Sequence, residues 1–171
     1  MSPRVKKDPS PCFYCELEEE DDSTEHFVRL GFSDEVVIFL HRDQTLPGRL
    51  VIASRSHFGD ITDFTDAVQT AFFGMVHVCG KAIKEIHPHI LKVNLALCGN
   101  NPLFEHPHIH LMPRHEKDRE WPGFFLNYVQ PYWDDDDPRY ARLIRSFYER
   151  LNPYEERFKL KWSHRTIKAV S

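Results

Sequence analysis

The sequence predicts an α+β fold: an antiparallel sheet with one long packed helix and a C-terminal helical extension. Residues 36–40 and 50–53 are short β-branched and aromatic runs, which are typical of buried strands. From about residue 62 to 86, apolar residues recur at spacings of three and four, the pattern of a long amphipathic helix. A second helical pattern covers residues 138–151. Together these patterns predict a sheet with helices packed against it.

The turn at Pro47-Gly48 predicts that the first two strands are antiparallel neighbours. Asp60 or Thr62 can cap the start of the long helix, and His87 marks its end. The apolar seam of this helix predicts the face that packs on the sheet, and it consists of Phe64, Val68, Phe72, Met75, Cys79, Ile83 and Ile86.

A third strand pattern covers residues 91–97 and leads through a turn at 99–102 into a histidine-rich strand. Beyond it, Asp137-Pro138 is a favourable helix start. The apolar stripe of this C-terminal helix is formed by Tyr140, Leu143, Ile144, Phe147 and Leu151, with Phe158 and Trp162 as candidate anchors of the tail.

The composition is that of one packed domain, because 171 residues with 41% hydrophobic content are ample for a core. We expect a flexible N-terminus at 1–11, a main domain at 12–115 and an extension at 116–171 packed on the same domain. A net charge of -4 argues against general nucleic-acid binding. The chain has no membrane-length apolar run and no signal-peptide pattern at its N-terminus, which predicts a cytoplasmic protein without membrane contact.

Three histidines, His106, His108 and His110, stand at alternate positions beside apolar residues. Period-two spacing in a strand places all three on one face of a sheet. A single histidine in a strand is usually structural, but three in register would repel one another when charged. Such a row calls for a metal, an anion or a division of chemical roles, so a functional site is favoured here.

A Cys-x-x-Cys pair, Cys12 and Cys15, fits a disulfide, a redox pair or half of a zinc site. The missing secretion signal disfavours the disulfide, and the flanking prolines and acidic residues do not fit a thioredoxin-like motif. Two histidines lie at predicted strand edges, His57 and His106, and would complete a closed Cys2His2 site. We therefore predict structural zinc on these four residues.

A second interpretation places all three histidines of the row on a catalytic metal that activates water, as in a zinc hydrolase. Strand spacing can present histidines at i and i+2 to one ion. This interpretation leaves Cys12 and Cys15 unexplained, so it ranks lower.

Residues 106–114, with Asn94, the segment 47–52 and His57 before them, resemble the histidine-triad (HIT) superfamily of nucleotide hydrolases and transferases. The resemblance covers about residues 10–115. The Cys-x-x-Cys pair matches zinc-carrying members, which are similar to galactose-1-phosphate uridylyltransferase in placing zinc on two cysteines, a later histidine and the first triad histidine. It implies a HIT-like fold and a homodimer.

The resemblance implies that His108 attacks the α-phosphorus of a nucleotidyl conjugate, a phosphoramidate or a dinucleoside polyphosphate, and that water resolves the nucleotidyl-histidine. His110 would contact phosphate and manage the leaving-group proton. Asn94 aligns with a position that contacts phosphate or the scissile oxygen. Histidine at 110 favours the hydrolase branch. The alternatives are a nucleotidyltransferase or phosphorylase, and a non-catalytic, zinc-stabilised nucleotide-binding module.

Two departures from the family pattern concern substrate binding. Leu103 stands where hydrolases of the family carry serine or threonine, so phosphate contacts would come from Asn100, Asn101 or loop N–H groups. His41 stands at the ribose-binding position, where the family has aspartate or asparagine. Arg49 near the turn is within reach of phosphate in this pattern, although arginines at turns are usually solvated.

Overall fold

A computed structural model describes residues 12–16, 24, 26–98, 105–116 and 137–171. Its centre is a six-stranded sheet in the order β4-β5-β3-β2-β1-β6, with every neighbouring pair antiparallel. The strands are β1 (Phe27–Phe32), β2 (Val36–His41), β3 (Leu50–Ser54), β4 (Lys92–Cys98), β5 (His108–Arg114) and β6 (Lys161–Trp162). The predicted α+β fold is therefore confirmed.

The described helices are α1 (Phe13–Glu16), α2 (Asp66–Ile86), α3 (Pro138–Leu151), α4 (Glu155–Phe158) and α5 (His164–Val170). Helix α2 begins later than the apolar pattern predicts. Thr65, not Asp60 or Thr62, caps it by accepting a hydrogen bond from Val68 N, while Asp60 caps a separate 3-10 turn at Ile61–Asp63. His87 ends the helix as expected. None of the described helices is both long and apolar enough to cross a membrane.

The main core lies between one face of the sheet and helices α2 and α3. Phe72, Met75, Cys79 and Ile83 from the predicted α2 seam are fully buried against it. The sheet contributes alternate residues of its strands, among them Val36, Ile38, Leu40, Leu50, Ile52, Ile109 and Leu111. Because side chains alternate across a strand, the residues between these belong to the opposite face.

That opposite face carries a smaller cluster and is the face on which the histidines lie. Its buried apolar residues are Phe27, Val37, Phe39, Val51 and Ala53, and Tyr14 of α1 packs on them. The short α1 segment thus covers the second face of the sheet. It brings the Cys-x-x-Cys pair, which flanks Tyr14, to the same side as the triad.

Strand β1 was not predicted from the sequence. Its apolar alternation is broken by Arg29, and the pairing with β2 shifts register between Arg29 and Gly31. Gly31 also lets β6 approach closely, since a Cβ there would lie 2.9 Å from the carbonyl oxygen of Lys161.

The C-terminal helices pack on the main core through the apolar stripe that the sequence predicts. Asp137 caps α3, and all five stripe residues are buried. The Tyr140 hydroxyl donates a 2.7 Å hydrogen bond to the carbonyl oxygen of Arg42. Ser163 and Thr166 donate similarly to Arg29 and Leu30 of β1. These contacts hold the residues after 137 against β1 and against the segment that follows β2.

Candidate metal centre and reactive histidines

Strand pairing places two of the three triad histidines on the second face of the sheet. His108 lies opposite Ala53 and His110 opposite Val51, both on β3. His106 precedes β5 in a bend and is completely buried. The expectation of three histidines in one strand is therefore wrong for His106, whose side chain is freed from the strand's alternation and faces the cysteines instead.

Cys12, Cys15, His57 and His106 form one group whose candidate ligand atoms all lie within 4.8 Å of one another. Nδ1 of His106 lies 3.4 Å from Sγ of Cys12 and 3.5 Å from Sγ of Cys15. Nδ1 of His57 lies 3.5 Å from the same Cys15 sulfur. The structure thus brings together the four residues predicted as ligands, from α1, the segment after β3 and the start of β5.

The contacts of the two ring nitrogens of His106 determine which of them can ligate a metal. Nε2 lies 2.6 Å from the carbonyl oxygen of Ser54, and a carbonyl only accepts, so Nε2 carries the proton and donates. Nδ1 faces the two sulfurs and is the nitrogen available to a metal. A ligating histidine whose other nitrogen donates to a carbonyl is the usual arrangement around protein-bound metals.

The thiols of this group are also suited to a cation. The hydrogen bond with Cys15, and after it the interaction with His106, lower the pKa of Cys12 below its ordinary value. A thiolate is the form of cysteine that ligates metal. Two cysteines and two neutral imidazoles are the donor set of closed, tetrahedral zinc sites, so the residues present fit zinc.

His108 has the opposite orientation from His106. Its Nδ1 lies 2.7 Å from the carbonyl oxygen of His106 and so donates to it. Nε2 then has the free lone pair. Burial lowers the pKa of His108 to about 4, which leaves the ring neutral at physiological pH. The Tyr14 ring packs on it, with ring centroids 4.5 Å apart. His108 is therefore a neutral, oriented nitrogen nucleophile.

His110 is held from behind by a cation. Nη2 of Arg49 lies 3.3 Å from its Nδ1, and guanidinium nitrogens only donate, so Nδ1 accepts and Nε2 carries the proton. Burial, followed by the charge of Arg49 and then by His108, lowers the pKa of His110 to about 3. His108 and His110 therefore present a lone pair and an N–H, respectively.

Arg49 is 4% exposed and forms a buried ion pair with Asp43, at 2.9 Å between Nη1 and Oδ2. The other Asp43 oxygen accepts from the hydroxyl of Thr45 at 2.6 Å. Arg49 is therefore not solvated, as arginines at turns usually are, because the loop folds its guanidinium inward beneath His110.

His41, predicted at the ribose position, lies beside His110 with ring centroids 5.9 Å apart. Its Nδ1 accepts from the backbone N–H of Asp43 at 2.9 Å, so Nε2 carries the proton. Burial, and then the charge of Arg49, lower the pKa of His41. His41 is thus a second neutral N–H donor near the reactive pair.

Sequence reasoning missed Cys98. It pairs with His108 across the β4–β5 ladder, and its sulfur lies within 4.8 Å of the ring nitrogens of His108 and His110. Burial raises the pKa of its thiol, although Arg49 opposes the shift. No sequence signal identified it, because residues 99–107 separate the two strands and a connection of this length does not fix their register.

Asn94, predicted to contact phosphate, pairs with Met112. It is on the same sheet face as His110 but two residue pairs further from the start of β5, while Ala96 lies opposite His110 and Cys98 opposite His108. Asn100 and Asn101 lie outside the described residues.

Comparisons with known proteins indicate the same family as the sequence motifs. A model of the HIT domain matches residues 24–117. A histidine triad protein from Bradyrhizobium japonicum is 22% identical over 74% of this chain and 91% of its own, with a TM-score of 0.63. A Zn-bound histidine triad family protein from Mycobacterium smegmatis is 19% identical over 84% and 97%, with a TM-score of 0.59. A hypothetical histidine triad nucleotide-binding protein from Sulfolobus tokodaii is 16% identical over 84% and 94%, with a TM-score of 0.61. The search of curated proteins found no match.

Proposed function

Because the chain belongs to the HIT domain family, we propose that it is a nucleotide hydrolase that cleaves a nucleotidyl conjugate at its α-phosphate through His108. The observation that carries the proposal is the orientation of His108. Its Nδ1 proton is engaged by the carbonyl of His106, which leaves the Nε2 lone pair as the nucleophile.

In the first step, Nε2 of His108 forms a bond to phosphorus while the bond to the leaving group breaks and its electron pair departs with that group. The ring becomes cationic, and the His106 carbonyl that holds Nδ1–H stabilises the charge. Water then forms a P–O bond as the P–N bond breaks, which returns the pair to Nε2 and releases a nucleoside monophosphate and a proton.

The groups around His108 would bind the anionic substrate. His110 donates through Nε2, and the Arg49 charge behind it favours an anion at this face. The Nε2–H of His41 is the candidate donor to ribose. Asn94, Asn100 and Asn101 remain candidates for phosphate contacts.

We further propose that Cys12, Cys15, His57 and His106 hold structural zinc, as in the zinc-carrying, uridylyltransferase-like branch of the family. The group offers two thiols and two imidazoles at close separation, and the similar histidine triad protein from Mycobacterium smegmatis is Zn-bound. A bound ion would join α1 to the start of β5 and supply no reacting group. Since His106 also holds His108 by its carbonyl, the same residue links the metal centre to the nucleophile.

The proposed assembly is a homodimer through β4. This strand lies at the edge of the described sheet. Two of its leucines, Leu95 (47%) and Leu97 (45%), and the preceding Leu91 (42%) are strongly exposed. An exposed apolar edge strand is a template for pairing with another chain. Leu95→Glu should convert a dimer to a monomer in sedimentation, whereas a monomeric parent would contradict this assembly.

The test of the reaction is to trap the intermediate. Zinc-loaded protein is mixed with nucleoside 5′-(4-nitrophenyl phosphates) of the four common bases, each labelled at phosphorus, and quenched in base, where a phosphoramidate bond survives. We expect label on His108 and none in His108→Ala. Product analysis with added phosphate separates hydrolysis from transfer. If the parent protein acquires no label and binds nucleotide with the same affinity as His108→Ala, the protein is a binding module instead.

A further inference from the structure

We propose that the buried Arg49–Asp43 ion pair fixes His110 as a neutral imidazole that donates only through Nε2, so that this chain favours leaving groups that depart without a proton. The inference rests on the proposed function, because it concerns the second histidine of the same site. Arg49 would act through His110 and is therefore a positioning residue.

The geometry leaves His110 one hydrogen-bonding state. Nδ1 is an acceptor because it faces Nη2 of Arg49 at 3.3 Å. A proton on Nδ1 would put two donors against each other, so both the cationic ring and the opposite neutral tautomer are disfavoured. Asp43 holds the other guanidinium nitrogen at 2.9 Å, which keeps the Arg49 fork in place.

The described groups near His110 reinforce its neutrality. The titratable or charged ones are His41 from β2, His108 from β5, Cys98 from β4 and Arg49 from the loop before β3. The Cys98 thiol has a raised pKa and so stays protonated near neutral pH. The charge of Asp43 is engaged by Arg49. A protonated His110 would face a cation with no anionic partner among these neighbours.

A neutral imidazole N–H can hydrogen-bond to an anion but is a poor proton source, since giving up its proton would leave an imidazolate. Phosphate, pyrophosphate and phenolate leave as stable anions and need only a hydrogen bond. An amine must gain a proton on nitrogen as its P–N bond breaks, because the amide anion is far too basic to leave. Neutral His110 therefore assists the departure of stable anions and not the departure of amines.

Two observations on the segment before the triad bear on the proton source. Residues 99–104 are Gly-Asn-Asn-Pro-Leu-Phe and carry no hydroxyl, ammonium, imidazole or carboxyl side chain. Glu105, the last residue before His106, is exposed to solvent. We therefore infer that anhydrides and esters of acidic alcohols, such as dinucleoside polyphosphates, are preferred over alkyl phosphoramidates.

The first test needs no substrate. Nitrogen-15 NMR of zinc-loaded protein with labelled histidine reports which ring nitrogen is protonated, and His110→Gln assigns the signal. We expect His110 to be neutral with the proton on Nε2, from neutral pH down to about pH 5. A proton on Nδ1, or a cationic ring at neutral pH, would overturn the assignment whether or not the protein is an enzyme.

The second test compares leaving groups on one nucleoside. The parent should cleave the 4-nitrophenyl phosphate at least ~100-fold faster in kcat/KM than the N-butyl phosphoramidate, the size of a missing general acid. In Arg49→Gln/Asp43→Asn, which removes both charges but keeps amide groups at both positions, the ratio should fall about tenfold, since one pKa unit of His110 protonation is worth a factor of ten. Phosphoramidate cleavage by this variant should also rise as pH falls.

Arg55→Gln/Asp34→Asn is the matched control, because it neutralises a partly exposed ion pair on the loops that flank β2 and β3. Its leaving-group ratio should equal that of the parent. The proposed leaving-group preference would be contradicted by a kcat/KM ratio that is unchanged in the Arg49→Gln/Asp43→Asn variant, or by a parent that cleaves both substrates equally. A parent with no turnover on any base overturns the proposed function and this preference together, while NMR still decides the tautomer.

Discussion

Two groups of cysteine and histidine lie on the same face of the sheet, yet they are built for opposite charges. The metal group is Cys12, Cys15, His57 and His106, and the reactive group is Cys98, His108 and His110. Both bring their candidate ligand atoms within 4.8 Å of one another. Residue type and spacing alone would therefore assign a metal to either.

The atom behind each imidazole separates the two groups. Behind His106 stands the Ser54 carbonyl, which accepts a hydrogen bond from Nε2–H and leaves Nδ1 facing the sulfurs of Cys12 and Cys15. Behind His110 stands the Arg49 guanidinium, which occupies Nδ1 and leaves a proton on the inward nitrogen. The thiols follow the same division, because the pKa of Cys12 is lowered while that of Cys98 is raised. The first group suits a cation and the second an anion.

The largest effect should come from breaking the metal group. Cys15→Ser removes the sulfur that lies 3.5 Å from Nδ1 of both His57 and His106. Structural zinc contributes on the order of 10 kcal/mol to small metal-dependent domains, so we expect loss of bound zinc and a fall in the free energy of unfolding of more than ~5 kcal/mol. Metal analysis and urea denaturation measure both. A variant as stable as the parent and free of metal would show that zinc has no structural role.

A smaller but still large effect should follow from unpairing the charge behind His110. Arg49→Met leaves the Asp43 carboxylate buried without its cation, which should cost about 3–5 kcal/mol in urea denaturation. Arg49→Gln/Asp43→Asn removes both charges and should recover most of that loss. Equal destabilisation in the single and double variants would contradict a stabilising role for this ion pair.

Most of the fold was predictable, because its central elements have clean periodicity. The strands at 36–41 and 50–54, helix α2 and helix α3 appear where alternation or helical spacing placed them. Strand β1 escaped prediction because Arg29 and a bulge interrupt its pattern. The start of α2 differs from the prediction because Thr65 caps it while Asp60 caps the preceding 3-10 turn, and an apolar pattern does not distinguish these two caps.

The sequence predicted most residues of the candidate site, but not the contacts that determine their chemical roles. The four predicted metal ligands come together because strong motifs carry them. The contact of Arg49 with His110 and the place of Cys98 in the site could not be predicted, since they depend on a loop that folds inward and on the β4–β5 register. Such contacts between distant parts of the chain leave no periodic trace in the sequence.

The pH dependence of stability sharpens the contrast at His110. Its pKa is about 3 in the folded protein and 6.5 in the unfolded chain, so on acidification only the unfolded state takes up the proton. The free energy of unfolding therefore falls as pH drops below 6.5, by about 2 kcal/mol between there and roughly pH 5 for this residue. His110→Gln should lose about that much less than the parent in urea denaturation at the two pH values. Parallel losses would mean that His110 is not held neutral.

The smallest effect should come from Cys98→Ser, the matched counterpart of Cys15→Ser. Serine keeps a donor for the Ala96 carbonyl but removes the soft ligand beside His108. If the reactive group holds no metal, zinc content should stay at one ion per chain, and stability should change by less than ~1 kcal/mol, as for a half-buried polar replacement. A parent with two ions that loses one on this substitution would make the reactive group a second metal site. That result would also show that the Arg49 charge does not keep cations away from His110, because its guanidinium would then coexist with an ion on the far side of the same ring.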